Sequence, residues 1–240
     1  GYATGYTSYS QIWETDYTGT WSTPVRLSTV AGMDSCNQKY PALAIDSSKN
    51  LDVVWRGNAT GYTNSEIWFS QESGGFWSTP IVISTYSGMS SNDQISPALA
   101  IDSNNVLYAG WHGPATGYAN TTIWIATYNG TWQAPVAIST YAGMSSYSQQ
   151  DPAIAVDSGN RVYVFWFGEA TGYSDYYKIW EATYNGAWNT PQVLQPLGQN
   201  TYPNVQWSNY PSFNIPTSQI SYMFTAGTAS PYNVTFSCLS

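Results

Sequence analysis

The chemistry open to this chain is limited by its few reactive residues. The single histidine, His112, has no second histidine and no cysteine close to it in sequence, so a zinc site of ordinary composition cannot be assembled. No G-x-S-x-G elbow accompanies the many serines, and no glycine-rich phosphate loop occurs. Neither a metal nor a cofactor is expected. Glycoside hydrolysis would need two carboxyl groups ~5–10 Å apart. Glu169 and Asp175 are acidic where related segments are mostly neutral, yet 14 acidic residues in 240 make such pairs easy to find. The three arginines, Arg26, Arg56 and Arg161, sit on a strand, at a strand end and in a turn, so they are not expected to converge.

Internal repetition determines the elements that position these residues. Ala-Thr-Gly-Tyr begins at Ala3, Ala59, Ala115 and Ala170, a period of 55–56 residues. Ile-Trp follows at Ile12, Ile67, Ile123 and Ile179, and Gly-x-Trp-x-x-Pro at Gly19, Gly75, Gly130 and Gly186. Gly-Met recurs at Gly32, Gly88 and Gly143, and Pro-Ala-Leu/Ile-Ala-Ile/Val-Asp at Pro41, Pro97 and Pro152. Each unit reads as four short strands; the second predicts strands over 41–46, 51–56, 66–71 and 77–84. Helical periodicity is absent. Four antiparallel strands at this period predict an all-β fold, a β-propeller of about four blades. One domain over 1–240 is expected, with units starting near Pro41, Pro97, Pro152 and Tyr210, a half unit over 1–30, and the chain ends closing one blade.

Repeated residues are poor candidates for catalysis, because shared packing explains them. Asp46, Asp102 and Asp157 read as side-chain caps on hairpin turns rather than calcium ligands. Trp13, Trp68, Trp124 and Trp180 read as packing between blades, and Trp21, Trp77, Trp132 and Trp188 as partly exposed.

Composition narrows the function classes. Charged residues make up 8% and aromatics 17%, the reverse of a disordered chain. Six Lys and Arg cannot form a phosphate-tracking stripe, so nucleic acid is excluded as a partner. No apolar run reaches the ~20 residues of a membrane helix. Sequons at Asn58, Asn120, Asn129 and Asn233, with the scarcity of charge, point to an extracellular or cell-surface glycoprotein.

The hairpin P-A-I-A-V-D-S-G-N-R-V-Y-V-F-W (Pro152–Trp166) and the later Y-N-G-A-W-N-T-P (Tyr184–Pro191) resemble the repeats of Asp-box-like propellers, among them sialidase-type proteins and propeller lectins. The strict order S-x-D-x-G-x-x-W is not present. The resemblance implies the propeller fold and leaves activity open.

A non-enzymatic protein is the expectation from these residues: a structural or adhesive propeller subunit that assembles with other copies of itself through its edge strands. The alternative is a lectin with one sugar site per blade. Its candidate residues are Thr60, Thr116, Thr171, Tyr62, Tyr118 and Tyr173 of the repeated loop, with Arg56, His112 and Glu169 beside them. A folded-back Tyr on a simple turn is the competing reading of that loop. A glycoside hydrolase or sialidase-like enzyme comes last. Cys36 and Cys238 are expected to form a disulfide that ties the chain end to its first quarter. The chain is expected to close on three strands, Tyr210–Pro216, Ile220–Ala226 and Asn233–Leu239, which brings the count to one more than four blades, and the surplus edge is a template for pairing with another chain.

Overall fold

The computed structural model describes residues 1–173, 178–194, 220–226 and 233–239. Helix among them is confined to three single 3₁₀ turns, Met33–Ser35, Met89–Ser91 and Met144–Ser146. Everything else regular is antiparallel sheet. A two-stranded sheet comes first, β1 (Trp13–Glu14) with β2 (Val25–Arg26). The first full blade holds β3 (Lys39–Ile45), β4 (Leu51–Gly57) and β5 (Glu66–Ser73), then the short β6 (Phe76–Trp77) and β7 (Ile81–Val82). The second runs β8 (Ile95–Ile101), β9 (Leu107–Ala115), β10 (Tyr118–Tyr128) and β11 (Val136–Ala137). The third runs β12 (Gln149–Val156), β13 (Val162–Gly168), β14 (Lys178–Tyr184) and β15 (Gln192–Val193). Last, β16 (Ile220–Ala226) pairs with β17 (Asn233–Leu239).

The fold is an all-β propeller with four antiparallel strands per blade, as the repeats predict. The first strands of successive blades lie against one another, β3 on β8 and β8 on β12, and so line the axis. The fourth strand departs from expectation. The stretch predicted over 77–84 is broken at Ser78–Pro80, because proline has no N–H to give to the ladder. The expected strands at 220–226 and 233–239 form, whereas the one expected at Tyr210–Pro216 lies outside the described residues. The closing of a blade by the two chain ends depends on that same stretch.

Blades pack through equivalent residues. Leu99 and Ile154 of the axial strands are 4% and 9% exposed, each against the blade before it. Their counterpart Leu43, preceded in the chain by the short β1–β2 sheet, is 37% exposed. The expected turn caps are present: Asp46, Asp102 and Asp157 each accept two backbone N–H bonds through Oδ1, from Ser48 and Asn50, Asn104 and Val106, and Gly159 and Arg161. The turns also tie blade to blade, with Ser47 N–H donating to Asn105 Oδ1 and Ser103 N–H to Asn160 Oδ1.

A buried glutamine clamps each blade. Gln38, Gln94 and Gln149 accept the indole N–H of Trp55, Trp111 and Trp166 at 2.9–3.1 Å. Their amide nitrogens donate to the carbonyls of the 3₁₀ turn (Met33 and Cys36, Met89 and Asn92, Met144 and Tyr147). They donate as well to the loop carbonyls of Asn58, Pro114 and Glu169, at 2.7–2.9 Å. Gly57, Gly113 and Gly168 pass so close that a Cβ at any of them would collide with the glutamine. Their carbonyls accept the indole N–H of Trp68, Trp124 and Trp180. Gln94→Leu keeps the volume and orphans Trp111 Nε1 together with the turn and loop carbonyls. We expect it to cost about 2–4 kcal/mol in urea unfolding, several buried polar groups losing partners at once. A loss below about 1 kcal/mol would show that the clamp is dispensable.

Candidate functional site

Each axial strand begins with an irregularity. The ladder skips between Lys39 and Ala42, between Ile95 and Ala98, and between Gln150 and Ala153. In each gap a non-glycine residue sits in the left-handed region: Tyr40 at φ 55°, Ser96 at 54° and Asp151 at 50°. All three precede proline, which disfavours helical backbone conformations in its predecessor. Such strain persists only where the surroundings impose it, and it concentrates at working sites.

The bulges bring unlike side chains together at one mouth of the axis. Ser96 Oγ donates to Asp151 Oδ1 at 2.6 Å, so equivalent positions of adjacent blades touch. The Asp151 backbone N–H donates to His112 Nδ1 at 2.9 Å. That bond leaves Nδ1 without a proton, so the 3.8 Å approach of the Asp151 carboxylate is not an ion pair and the ring proton lies on Nε2. Burial, opposed by Asp151 and reinforced by Arg56, pulls the His112 pKa down to about 4. Arg56 in turn reaches Asp93 at 3.9 Å, and Asp93 accepts the Ser65 backbone N–H at 2.7 Å. Two polar groups result, Asp93 with Arg56 and His112 with Asp151 and Ser96, and the Arg56 charge is felt at His112. Arg56, His112 and Phe167 occupy equivalent positions, opposite Lys39, Ile95 and Gln150.

The loop residues singled out from the sequence have well-defined surroundings. Tyr62, Tyr118 and Tyr173 turn back edge-on against Trp68, Trp124 and Trp180, with ring centroids 4.9–5.4 Å apart. Thr60, Thr116 and Thr171 donate their backbone N–H to Ala31, Ser87 and Ala142, and their hydroxyls crowd Gly32, Gly88 and Gly143. Glu169 is half-buried and gives its carbonyl to the clamp. Asn58 and Asn120 are half-buried, whereas Asn129 is exposed on a turn. Cys36 is half-buried and its thiol is free; the side chains of its expected partner Cys238 and of the Asn233 sequon, and Asp175, lie outside the described residues. Among the described residues no cluster of three metal-ligating side chains occurs. Tyr40, Asp93, Ser96 and Asp151 were not anticipated. Their signal was available in the repeat alignment: the residue before each Pro-Ala pair changes from Tyr to Ser to Asp while its neighbours stay constant.

Glu66, next to the Asp93 loop, is fully buried. Its Oε2 accepts the Ser84 hydroxyl, and its Oε1 is buried without a partner. Gln11 is its counterpart in the first unit. There Oε1 accepts the Ser28 hydroxyl, and Nε2 donates to the Met33 and Cys36 carbonyls at 3.0 and 3.3 Å. Glu66 offers an oxygen where Gln11 offers N–H, so the site suits a protonated carboxyl. Burial accordingly raises its pKa from 4.5 to about 7. Asp52, buried with Gln71 as its partner, rises by the same cause to about 6.

No protein-family model matches this sequence. No curated protein matches it either. Solved structures do match in fold. A Hadza microbial sialidase aligns at TM-score 0.55 and 12% identity, over 83% of this chain and 44% of its own. The Penicillium chrysogenum alpha-L-arabinanase complexed with arabinobiose aligns at 0.56 and 13%, over 84% and 62%. A Dyadobacter fermentans protein of unknown function aligns at 0.62 and 10%, over 95% and 68%. This chain therefore spans about two fifths to two thirds of their lengths. Likeness at these identities shows the propeller fold. It also corrects the expectation of a non-enzymatic structural or adhesive subunit, since matched structures such as the sialidase and the arabinanase are carbohydrate enzymes.

The two buried carboxyls set a pH dependence whose sign is fixed. Each is held neutral in the folded chain and ionises earlier in the unfolded one, so the stability these two contribute is full below about pH 4 and is lost as pH rises to about 7. His112, kept neutral in the fold with its pKa down at about 4, works in the opposite direction up to its ordinary value of 6.5. Glu66→Gln restores the bonding of Gln11 and should flatten the Glu66 part of that fall, raising stability at pH 8 by on the order of 2 kcal/mol. Denaturant midpoints of wild type and Glu66→Gln from pH 3 to 8 would measure it, and a difference between the two that does not grow with pH would refute the assignment.

Proposed function

We propose that this chain is a carbohydrate-active β-propeller of glycoside hydrolase type, with its substrate seated at the axial mouth. The observation that carries the reading is the convergence of unrepeated residues on the strained bulges: Tyr40, Ser96 and Asp151, with His112, Arg56 and Asp93 behind them. Repetition explains the scaffold, and it does not explain these. Asp93, against Arg56, and Asp151, on its bulge, are the carboxyl groups this cluster offers, and hydrolysis of a glycosidic bond uses one as acid and the other as base or nucleophile. Asp93, bonded by Arg56 and a backbone N–H, suits the role of the carboxylate. Asp151 is oriented by Ser96 and by the neutral His112, and it suits the role of the group that passes a proton to the leaving oxygen.

The sialidase-type resemblance in the repeats and the carbohydrate enzymes among the matched folds support the same reading. An extracellular setting and a glycan partner accord with it, Asn129 being placed for modification. A panel of aryl glycosides and plant or algal oligosaccharides would test it. Turnover should appear on at least one substrate and drop by a factor of about 10³ or more in Asp151→Asn and in Asp93→Asn, the span expected when an acid–base group is removed. Glycan binding with no turnover on any substrate would leave a lectin instead. Absence of both would overturn the proposal.

A further inference from the structure

The chain has only six Lys and Arg and a formal charge of −8, so where its cations stand is informative. Lys49 and Arg161 lie in the turns that link first and second strands, at the opposite end of the blades from the mouth. Arg26 is stacked on the Tyr6 ring at 4.4 Å, and Lys178 opens β14 opposite Gly168 of β13, in the third blade. Lys39 and Arg56, by contrast, face each other as direct cross-strand partners at the mouth end of β3 and β4. Like charges directly opposite in a sheet repel. Packing does not require this pair, because the equivalent positions hold Ile95 with His112 and Gln150 with Phe167. Lys39 is exposed and has no ion pair among the described residues, and Arg56 has only the 3.9 Å approach of Asp93. Beside them Tyr40 is 48% exposed and held at φ 55°, in the ring position that Ser96 and Asp151 fill in the next two blades.

We propose that Lys39 and Arg56 make the mouth selective for an anionic sugar, one carrying a carboxylate or a sulfate ester, whose ring rests against Tyr40. The inference builds on the glycoside reading and adds the charge of the substrate. A planar guanidinium presents a fork of N–H donors to either oxyanion, and the ammonium adds a point charge. An aromatic face takes the apolar face of a sugar ring. The arrangement is one guanidinium with one ammonium; Arg26 and Arg161 stand elsewhere, so no cluster of arginines is involved. Because the rest of the protein is net negative, the local positive pair is what would overcome repulsion of a polyanion, and attraction between exposed charges weakens with salt.

The test titrates the protein with an oligogalacturonate, a sulfated galactan oligomer and a neutral galactan oligomer of equal length, at 20 and 200 mM NaCl. One anionic probe should bind at least tenfold more tightly than the neutral one at 20 mM, and the preference should shrink at 200 mM. Whichever anionic probe binds identifies carboxylate or sulfate. The double variant Lys39→Ile with Arg56→His installs the pair already used in the second blade, and its melting curve reports whether the fold is kept. In that variant the ratio of anionic to neutral affinity should fall to near one. An unchanged ratio, or a wild-type preference for the neutral probe, overturns the proposal while leaving the glycoside reading intact. Failure of all three probes to bind, with turnover on some other neutral glycoside, overturns it as well. Failure of every glycan and every turnover assay condemns the glycoside reading beneath it.

Discussion

The clamp made by Gln38, Gln94 and Gln149 is the interaction on which the rest of the propeller depends. A four-stranded blade of this size can bury its faces against its neighbours, but its loops still have carbonyls pointing inward. One amide side chain solves this at three points, joining the second strand through tryptophan, the 3₁₀ turn through its carbonyls, and the next loop through another carbonyl. The geometry leaves no room for a side chain on the facing strand, which is why Gly57, Gly113 and Gly168 recur. It also fixes where the second strand ends, and so where Arg56 and His112 stand. The neighbouring Thr-Gly contacts, Thr60 on Gly32 and its counterparts, lock each loop onto the turn before it.

That scaffold explains how a strained mouth can be maintained. Tyr40, Ser96 and Asp151 each occupy a backbone region costly to an L-residue with a proline after it. Two residues upstream in each case lies a clamp glutamine with all its polar atoms engaged. Rigid structure on one side and a proline on the other leave the bulge residue little choice of conformation. Its side chain is then free to vary, and it does: an aromatic ring, a hydroxyl and a carboxyl stand in one ring around the axis. Repetition supplies the frame, and departures from repetition supply the chemistry.

The same division determines what could be read from the residues alone. The blade architecture was legible because five landmarks recur in fixed order at 55–56 residues, and the turn-capping role of Asp46, Asp102 and Asp157 followed from local side-chain geometry. The clamp was not legible, because a glutamine 17 residues before a tryptophan looks like one more polar residue in a polar loop. The site was only half legible. Arg56 and His112 drew notice as unlike residues in one slot, but Asp93 reaches Arg56, and Asp151 reaches His112 and Ser96, only once the axial strands are side by side. The Ala-Thr-Gly-Tyr loop drew attention for its regularity, and regularity turns out to accompany packing: its tyrosines lie edge-on to tryptophans.

Scarcity of charge gives the two halves of the molecule different physics. Apart from the aspartates that cap the hairpin turns, the scaffold is joined by neutral donors and acceptors, amides, indoles, hydroxyls and backbone, whose strength hardly depends on ionic strength. Its buried carboxyls, Glu66 and Asp52, fit this pattern because the folded chain keeps them protonated well above the usual carboxylate range. Added salt therefore leaves the frame alone. The mouth is where charges meet: Lys39 opposite Arg56, Arg56 near Asp93, Asp151 beside the neutral His112. A protein that had spread its charges evenly would couple ligand binding to its own stability through the same screening. Here the two are separated, so ionic strength tunes what the mouth attracts without loosening the blades that hold it open.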